Sequence, residues 1–133
     1  MKGIRVLLVD DEEDFRVTLA KRLQKRELKV VAVESGPKGL EAVQQGPFDV
    51  AVVDVKMPGM DGLEMLMCLK ERTPLIEVIM LTGHASVESG IEGMRLGAFD
   101  YLMKPCNIDD LVLKIEDAYQ RKLVQEASVQ SGL

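Results

Sequence analysis

VAVVDVKMPGMDG, residues 50–62, decides how this chain is read. Four apolar residues, Val50 to Val53, lead into a single carboxylate at Asp54. Pro58, Gly59 and Gly62 follow at once and break any regular element. A short apolar run of this kind suits a strand covered on both faces. It delivers one acid to a strand tip and then turns sharply. In open parallel α/β sheets that rim is where ligands bind. Taken alone, the stretch has a plain alternative, because Asp starts turns well and ends many strands. The other strand ends have to be examined with it.

Working outward, residues 4–9 are apolar apart from Arg5 and end in Asp10-Asp11. Next comes EEDFRVTLAKRLQKR, with Phe15, Leu19 and Leu23 spaced i, i+4, i+8 on one helical face. Its acids lie in the first turn and its basic residues in the last, complementing the helix dipole. Residues 28–33 predict a second strand, and Ser35-Gly36-Pro37 opens a second helix. The third strand covers 48–53, and a third helix stops before Pro74. Residues 76–81 predict a fourth strand with Thr82-Gly83 at its tip. The fourth helix, about 86–96, contains Gly90 and Gly93, each costing about 1 kcal/mol relative to Ala. Residues 99–103 form the fifth strand, with Lys104-Pro105 at its end. Asn107 caps a last helix whose buried stripe is Ile108, Leu111, Ile115 and Ala118. Residues 1–124 are expected to form one domain and 125–133 a frayed tail.

Strict strand–helix alternation predicts an α/β fold with a parallel sheet and helices on both faces. Crossovers are expected to be right-handed. Five strands suit an open doubly wound sheet; an eight-stranded barrel needs about 250 residues. The 133 residues match one domain, and 47% hydrophobic with 29% charged residues is an ordinary globular balance. The net charge of −5, with no long Lys/Arg run, argues against a nucleic-acid partner. Cys68 and Cys106 have neither zinc-site nor disulfide spacing, and free thiols fit a reducing compartment. No apolar run reaches the roughly 18 residues of a membrane span, and the acidic N-terminal stretch is no signal peptide. These features lead us to expect a cytoplasmic protein without a membrane partner.

The C-terminal tips of a parallel sheet all face one way, and polar residues gather there. Asp10 and Asp11 follow strand one, Asp54 strand three, Thr82 strand four and Lys104 strand five. If strands one and three are neighbours, three carboxylates converge beside a hydroxyl and an ammonium. Such acids raise one another's pKa, and a divalent cation resolves the conflict. Mg²⁺ accepts a few carboxylate oxygens while keeping several waters. A phosphoryl group would meet the metal, Lys104, Thr82 and turn N–H groups, with Asp54 as the attacking oxygen.

Asp10-Asp11, DVKMPGMDG around Asp54, Thr82-Gly83, and Tyr101 before Lys104-Pro105 together resemble the receiver domain of two-component response regulators. The resemblance covers residues 4 to about 123. It implies a flavodoxin-like sheet of order 2-1-3-4-5. It implies that a sensor histidine kinase or phosphotransfer protein donates phosphate to Asp54. It assigns Mg²⁺, with Mn²⁺ as a substitute, to Asp11, Asp54 and the Lys56 carbonyl, Asp10 assisting through water. Thr82 and Lys104 would contact phosphoryl oxygens, and the Lys104–Pro105 peptide would be cis. On phosphorylation Thr82 would gain a hydrogen-bond partner it lacked and Tyr101 would turn inward. The surface of helix four, strand five and helix five would then change toward a downstream protein, an output domain or a second copy. GAFDYLMKP resembles receivers of the nitrogen-regulator type.

Other readings compete at single positions. His84 and Lys56 would flank the phosphoryl group, yet a solvated loop His is as ordinary. Met57 and Met60 suit gap-filling packing, and Tyr101 suits simple edge packing. Against a phosphorylatable signalling domain, not a metabolic enzyme, stands a phosphatase of the haloacid dehalogenase type. It too uses Asp, Mg²⁺, Thr and Lys, but its nucleophile follows strand one. A third option is an interaction module without phosphorylation.

Overall fold

A computed structural model describes residues 2–83 and 87–130. Five strands, β1 (Arg5–Val9), β2 (Lys29–Val33), β3 (Val50–Asp54), β4 (Glu77–Thr82) and β5 (Asp100–Met103), form one sheet. All neighbours are parallel, and the order is β2-β1-β3-β4-β5. The helices are α1 (Glu13–Gln24), α2 (Gly36–Gln45), α3 (Gly62–Arg72), α4 (Val87–Arg95) and α5 (Ile108–Gln130). This is the five-stranded doubly wound sheet that the alternation of elements predicts.

The sheet is covered on both sides because each central strand carries an unbroken apolar run, residues 6–9, 50–53 and 78–81. Along β1, β3 and β4, alternate side chains enter opposite layers. Leu7, Val9, Ala51, Val53, Val78 and Met80 pack with Leu40 of α2 and Met65, Leu66 and Leu69 of α3. Val6, Leu8, Val50, Val52, Ile79 and Leu81 pack with Leu19 and Leu23 of α1 and Leu111, Ile115 and Ala118 of α5. The edge strands β2 and β5 are less covered, and Val31 of β2 is exposed.

Local chemistry sets the helix starts. Ser35 accepts the Lys38 N–H, and Pro37 occupies the first turn of α2. Asp61 and Glu64 form a reciprocal capping box on α3. Asn107 accepts the N–H groups of Asp109 and Asp110, as its position predicts. The end of α5 differs from expectation. Residues 125–130 are helical, not a frayed tail, and Lys122 reaches Glu126 one turn on, at 3.3 Å. Residues 127–130, Ala-Ser-Val-Gln, contain no Gly or Pro to stop the helix.

The strand-start end of the sheet holds two buried carboxylates. Asp49 accepts three hydrogen bonds from Arg5, two of them from the guanidinium at 2.8 and 3.1 Å, and one from Lys122 at 2.8 Å. These partners outweigh burial and hold its carboxyl at about 2. Glu77 is fully buried between Arg121 Nε at 2.8 Å and Lys70 Nζ at 3.7 Å. Lys70 stands beyond hydrogen-bond distance and Arg121 is not aligned for one, so Glu77 is held by charge, and burial pushes its pKa up. Consecutive residues of α5, Arg121 and Lys122, thus clamp both acids.

Breaking a buried pair leaves an uncompensated charge. Asp49→Asn is expected to lose about 2–3 kcal/mol of unfolding free energy at pH 7. The Asp49 carboxyl is depressed from its ordinary value of 3.8 to about 2. Its contribution is therefore complete above about pH 4 and falls away as the pH drops toward 2. Urea titrations at pH 7 and pH 3 should show the gap between wild type and variant narrowing in acid.

Candidate functional site

β1 and β3 are neighbours, so their C-terminal tips place Asp10, Asp11 and Asp54 together. One oxygen from each lies within 4.8 Å of the others. Both Asp10 oxygens are engaged: Oδ1 accepts the Glu12 N–H at 2.9 Å and Oδ2 accepts Lys104 Nζ at 2.7 Å. The Asp10 carbonyl accepts Arg16 Nη1, tying the tip of β1 to α1. Lys104 Nζ also lies 3.6 Å from Asp54 Oδ1 and 3.6 Å from Glu12. Its stem is carried in by the loop after β5, whose Lys104–Pro105 peptide is cis. The Lys104 N–H donates to the Thr82 carbonyl, joining the tips of β4 and β5.

Asp54 is 6% exposed. Burial first, and then the charge of Asp10, push its pKa up to about 6, while Lys104 and the Lys56 N–H pull it down. Burial works against the charge on Lys104, but the Asp10 hydrogen bond and the surrounding acids raise its pKa. The donor set suits a hard divalent cation: three carboxylates with an anionic excess and no soft ligand among them.

The loop after β3 is held tight against the strand tip. The Val55 N–H donates to the Leu81 carbonyl, and the Gly62 N–H to the Val55 carbonyl. Gly62 is required by space, since a Cβ there would fall 2.3 Å from the Asp54 carbonyl oxygen. Gly59 turns the loop with φ +75°. Lys56 is exposed on this loop, whereas Met57 is buried and Met60 packs against the core, as gap-fillers would.

Thr82 is fully buried, and its hydroxyl is not free. It donates to Met103 Sδ at 3.4 Å, a weak acceptor on the adjacent strand. The expectation that Thr82 lacks a partner is thereby corrected: parallel pairing of Thr82 with Met103 brings the sulfur to it. Tyr101 is half-buried on β5. Gly90 of α4 sits against both groups, since a Cβ there would lie 3.0 Å from the Tyr101 ring and 3.3 Å from the Thr82 methyl. His84 lies outside the described residues.

The sequence-predicted residues Asp10, Asp11, Asp54 and Lys104 converge, with Thr82 at the next strand tip. No local pattern in the sequence marks Asp49, Met103 or the packing role of Gly90. Asp49 opens a strand as an ordinary polar residue does, and Met103 looks like any sheet methionine. Phe15 shares the inward face of α1 with Leu19 and Leu23, and its ring also lies 4.3 Å from Lys104 Nζ.

Comparison with known proteins gives one family model, "Response regulator receiver domain", matching residues 6–116. The DNA-binding transcriptional regulator NtrC of Escherichia coli is 39% identical over 117 residues, covering 88% of this chain and 25% of that protein. A putative NtrX-like response regulator of Rickettsia bellii is 35% identical over 120 residues, covering 89% and 25%. A response regulator receiver domain protein from Clostridium thermocellum superimposes with TM-score 0.87 at 33% identity, covering 91% and 98%. NtrX from Brucella abortus gives TM-score 0.89 at 30% identity, covering 95% and 29%. The chain spans about a quarter of the length of these curated relatives. The dehalogenase-type phosphatase reading finds no support in this match. The geometry points the same way: Asp10 after β1 is tied up by Lys104 and the Glu12 N–H, and the central acid, Asp54, ends β3.

The raised pKa of Asp54 makes a stability prediction. The folded state holds its proton more tightly than the unfolded chain, so stability falls as pH rises from about 4 through about 6. In metal-free buffer at pH 7, Asp54→Asn is expected to be about 1–3 kcal/mol more stable than wild type. Near pH 4 the difference should vanish. Thermal melts across that range check it.

Proposed function

The chain belongs to the response regulator receiver domain family of two-component systems, and from that premise we propose that Asp54 accepts a phosphoryl group from phosphohistidine. The donor is a sensor histidine kinase or a phosphotransfer protein. The observation that carries this reading is the buried Asp54 carboxylate at a central strand tip, within reach of Lys104 and two further acids. An Asp54 oxygen attacks phosphorus, the P–N bond breaks, and imidazole leaves with its electron pair and takes a proton. Asp10, Asp11, Asp54 and the Lys56 carbonyl would hold Mg²⁺, or Mn²⁺ in its place. When bound, the ion supplies positive charge against the phosphoryl oxygens and the crowded carboxylates.

Lys104 would then exchange its Asp10 partner for a phosphoryl oxygen. Thr82 would exchange Met103 Sδ, a poor acceptor, for a charged oxygen, a stronger bond. Movement of Thr82 would be felt by Gly90, which sits against both the Thr82 methyl and the Tyr101 ring. The surface that would report the change is α4–β5–α5, where Ile91, Met94 and Leu113 are exposed and Lys114 pairs with Asp100. A downstream protein, an output domain or a second copy of the chain would read it. Residues 1–124 are the unit proposed to act, in the cytoplasm, where the free thiols of Cys68 and Cys106 would persist.

Radiolabelled acetyl phosphate with MgCl₂ tests the reading without a kinase. We expect acid-stable, hydroxylamine-sensitive label approaching one per chain, abolished by chelator and absent in Asp54→Asn. No label on the wild type would overturn it. Beryllofluoride with Mg²⁺ should also change amide exchange in α4; identical exchange with and without it would remove the switch.

A further inference from the structure

We propose that Phe15 is a positioning residue for Lys104, its ring holding the ammonium at the site while the lysine changes partners. This rests on the phosphoacceptor reading above. Phe15 lies one turn into α1 and Lys104 follows β5, so the fold brings them together from opposite ends of the chain. Lys104 Nζ is 4.3 Å from the ring centroid, within the range of a cation–π contact. The ring is itself anchored, because Phe15 packs on the layer formed by α1, α5 and the sheet.

The geometry around Lys104 gives the ring something to do. Asp10 takes one N–H at 2.7 Å. Asp54 and Glu12 stand equally far away, both at 3.6 Å, and compete for the same ammonium. Glu12 is largely exposed and would draw the lysine outward, whereas Asp54 is buried. Lysine is a point charge on a flexible stem, with considerable rotamer entropy. A ring face attracts that charge without demanding one hydrogen-bond direction. It therefore lets the ammonium pivot from Asp10 toward an oxygen on Asp54 without release toward Glu12. Leucine would fill similar space without this attraction.

The test uses acetyl phosphate, because Phe15 also lines a surface cleft with Arg22, Pro105 and Cys106 that a protein donor would touch. Initial labelling rates are measured for wild type, Phe15→Leu and Phe15→Tyr, with urea midpoints confirming that each is folded. Phe15→Leu is expected to label about three- to tenfold more slowly, the rate equivalent of one such contact. Phe15→Tyr should recover to within about twofold. In a Lys104→Met background, Phe15→Leu should add no further loss, which a packing role would not predict. Equal rates in wild type and Phe15→Leu would overturn this inference alone. So would equal losses in Leu and Tyr variants, or an undiminished loss in the Lys104→Met background. A wild type that takes no label overturns the phosphoacceptor reading, and this inference with it.

Discussion

Three carboxylates held at one rim of a parallel sheet repel one another, and that repulsion organises this molecule. β1 and β3 are paired from Val6 and Val50 onward, so their tips end side by side. The backbone register thereby forces Asp10 and Asp11 against Asp54. Lys104 relieves part of the repulsion by pairing with Asp10 while standing off from Asp54. Asp54 is left buried and incompletely compensated, with its pKa displaced upward. A carboxylate in that condition favours any arriving positive charge and any chemistry that removes its own negative charge.

The opposite end of the sheet shows the contrast. Asp49 and Glu77 are as deeply buried as Asp54. Each, however, faces two cations, and Asp49 is saturated with hydrogen bonds. Its pKa is displaced downward. At that end cations outnumber the two buried acids, and α5 is clamped to the sheet through Arg121 and Lys122. The other is rich in acid and poised to change. Among these buried acids, partners outweigh burial at Asp49 and lower its pKa, whereas burial outweighs the nearby cations at Glu77 and Asp54 and raises theirs.

Between the acid cluster and the outer face runs a short chain of contacts: the Thr82 hydroxyl on Met103, the Thr82 methyl and Tyr101 ring on Gly90. Packing this close passes displacement from one group to the next, because interiors have little free volume. Gly90 is thus more than a weak point in α4. Without a Cβ it lets the helix approach both residues, and any inward movement of Thr82 changes what the helix rests on.

Strand–helix alternation, the acids and hydroxyl at strand ends, and the break after Asp54 are local patterns. The sequence by itself determined the parallel doubly wound sheet and nominated Asp10, Asp11, Asp54, Thr82 and Lys104, since apolar period and turn chemistry act over a few residues. The order of the strands came from the resemblance, and the structure bears it out. What depends on distant residues meeting was hidden. Asp49 becomes an anchor only when Arg5 and Lys122 arrive from either end of the chain. Met103 becomes a resting place for Thr82 only through the pairing of β4 with β5. Phe15 faces Lys104 across an interval of nearly the whole domain. Such contacts are set by strand register and layer packing, which no window of neighbouring residues encodes.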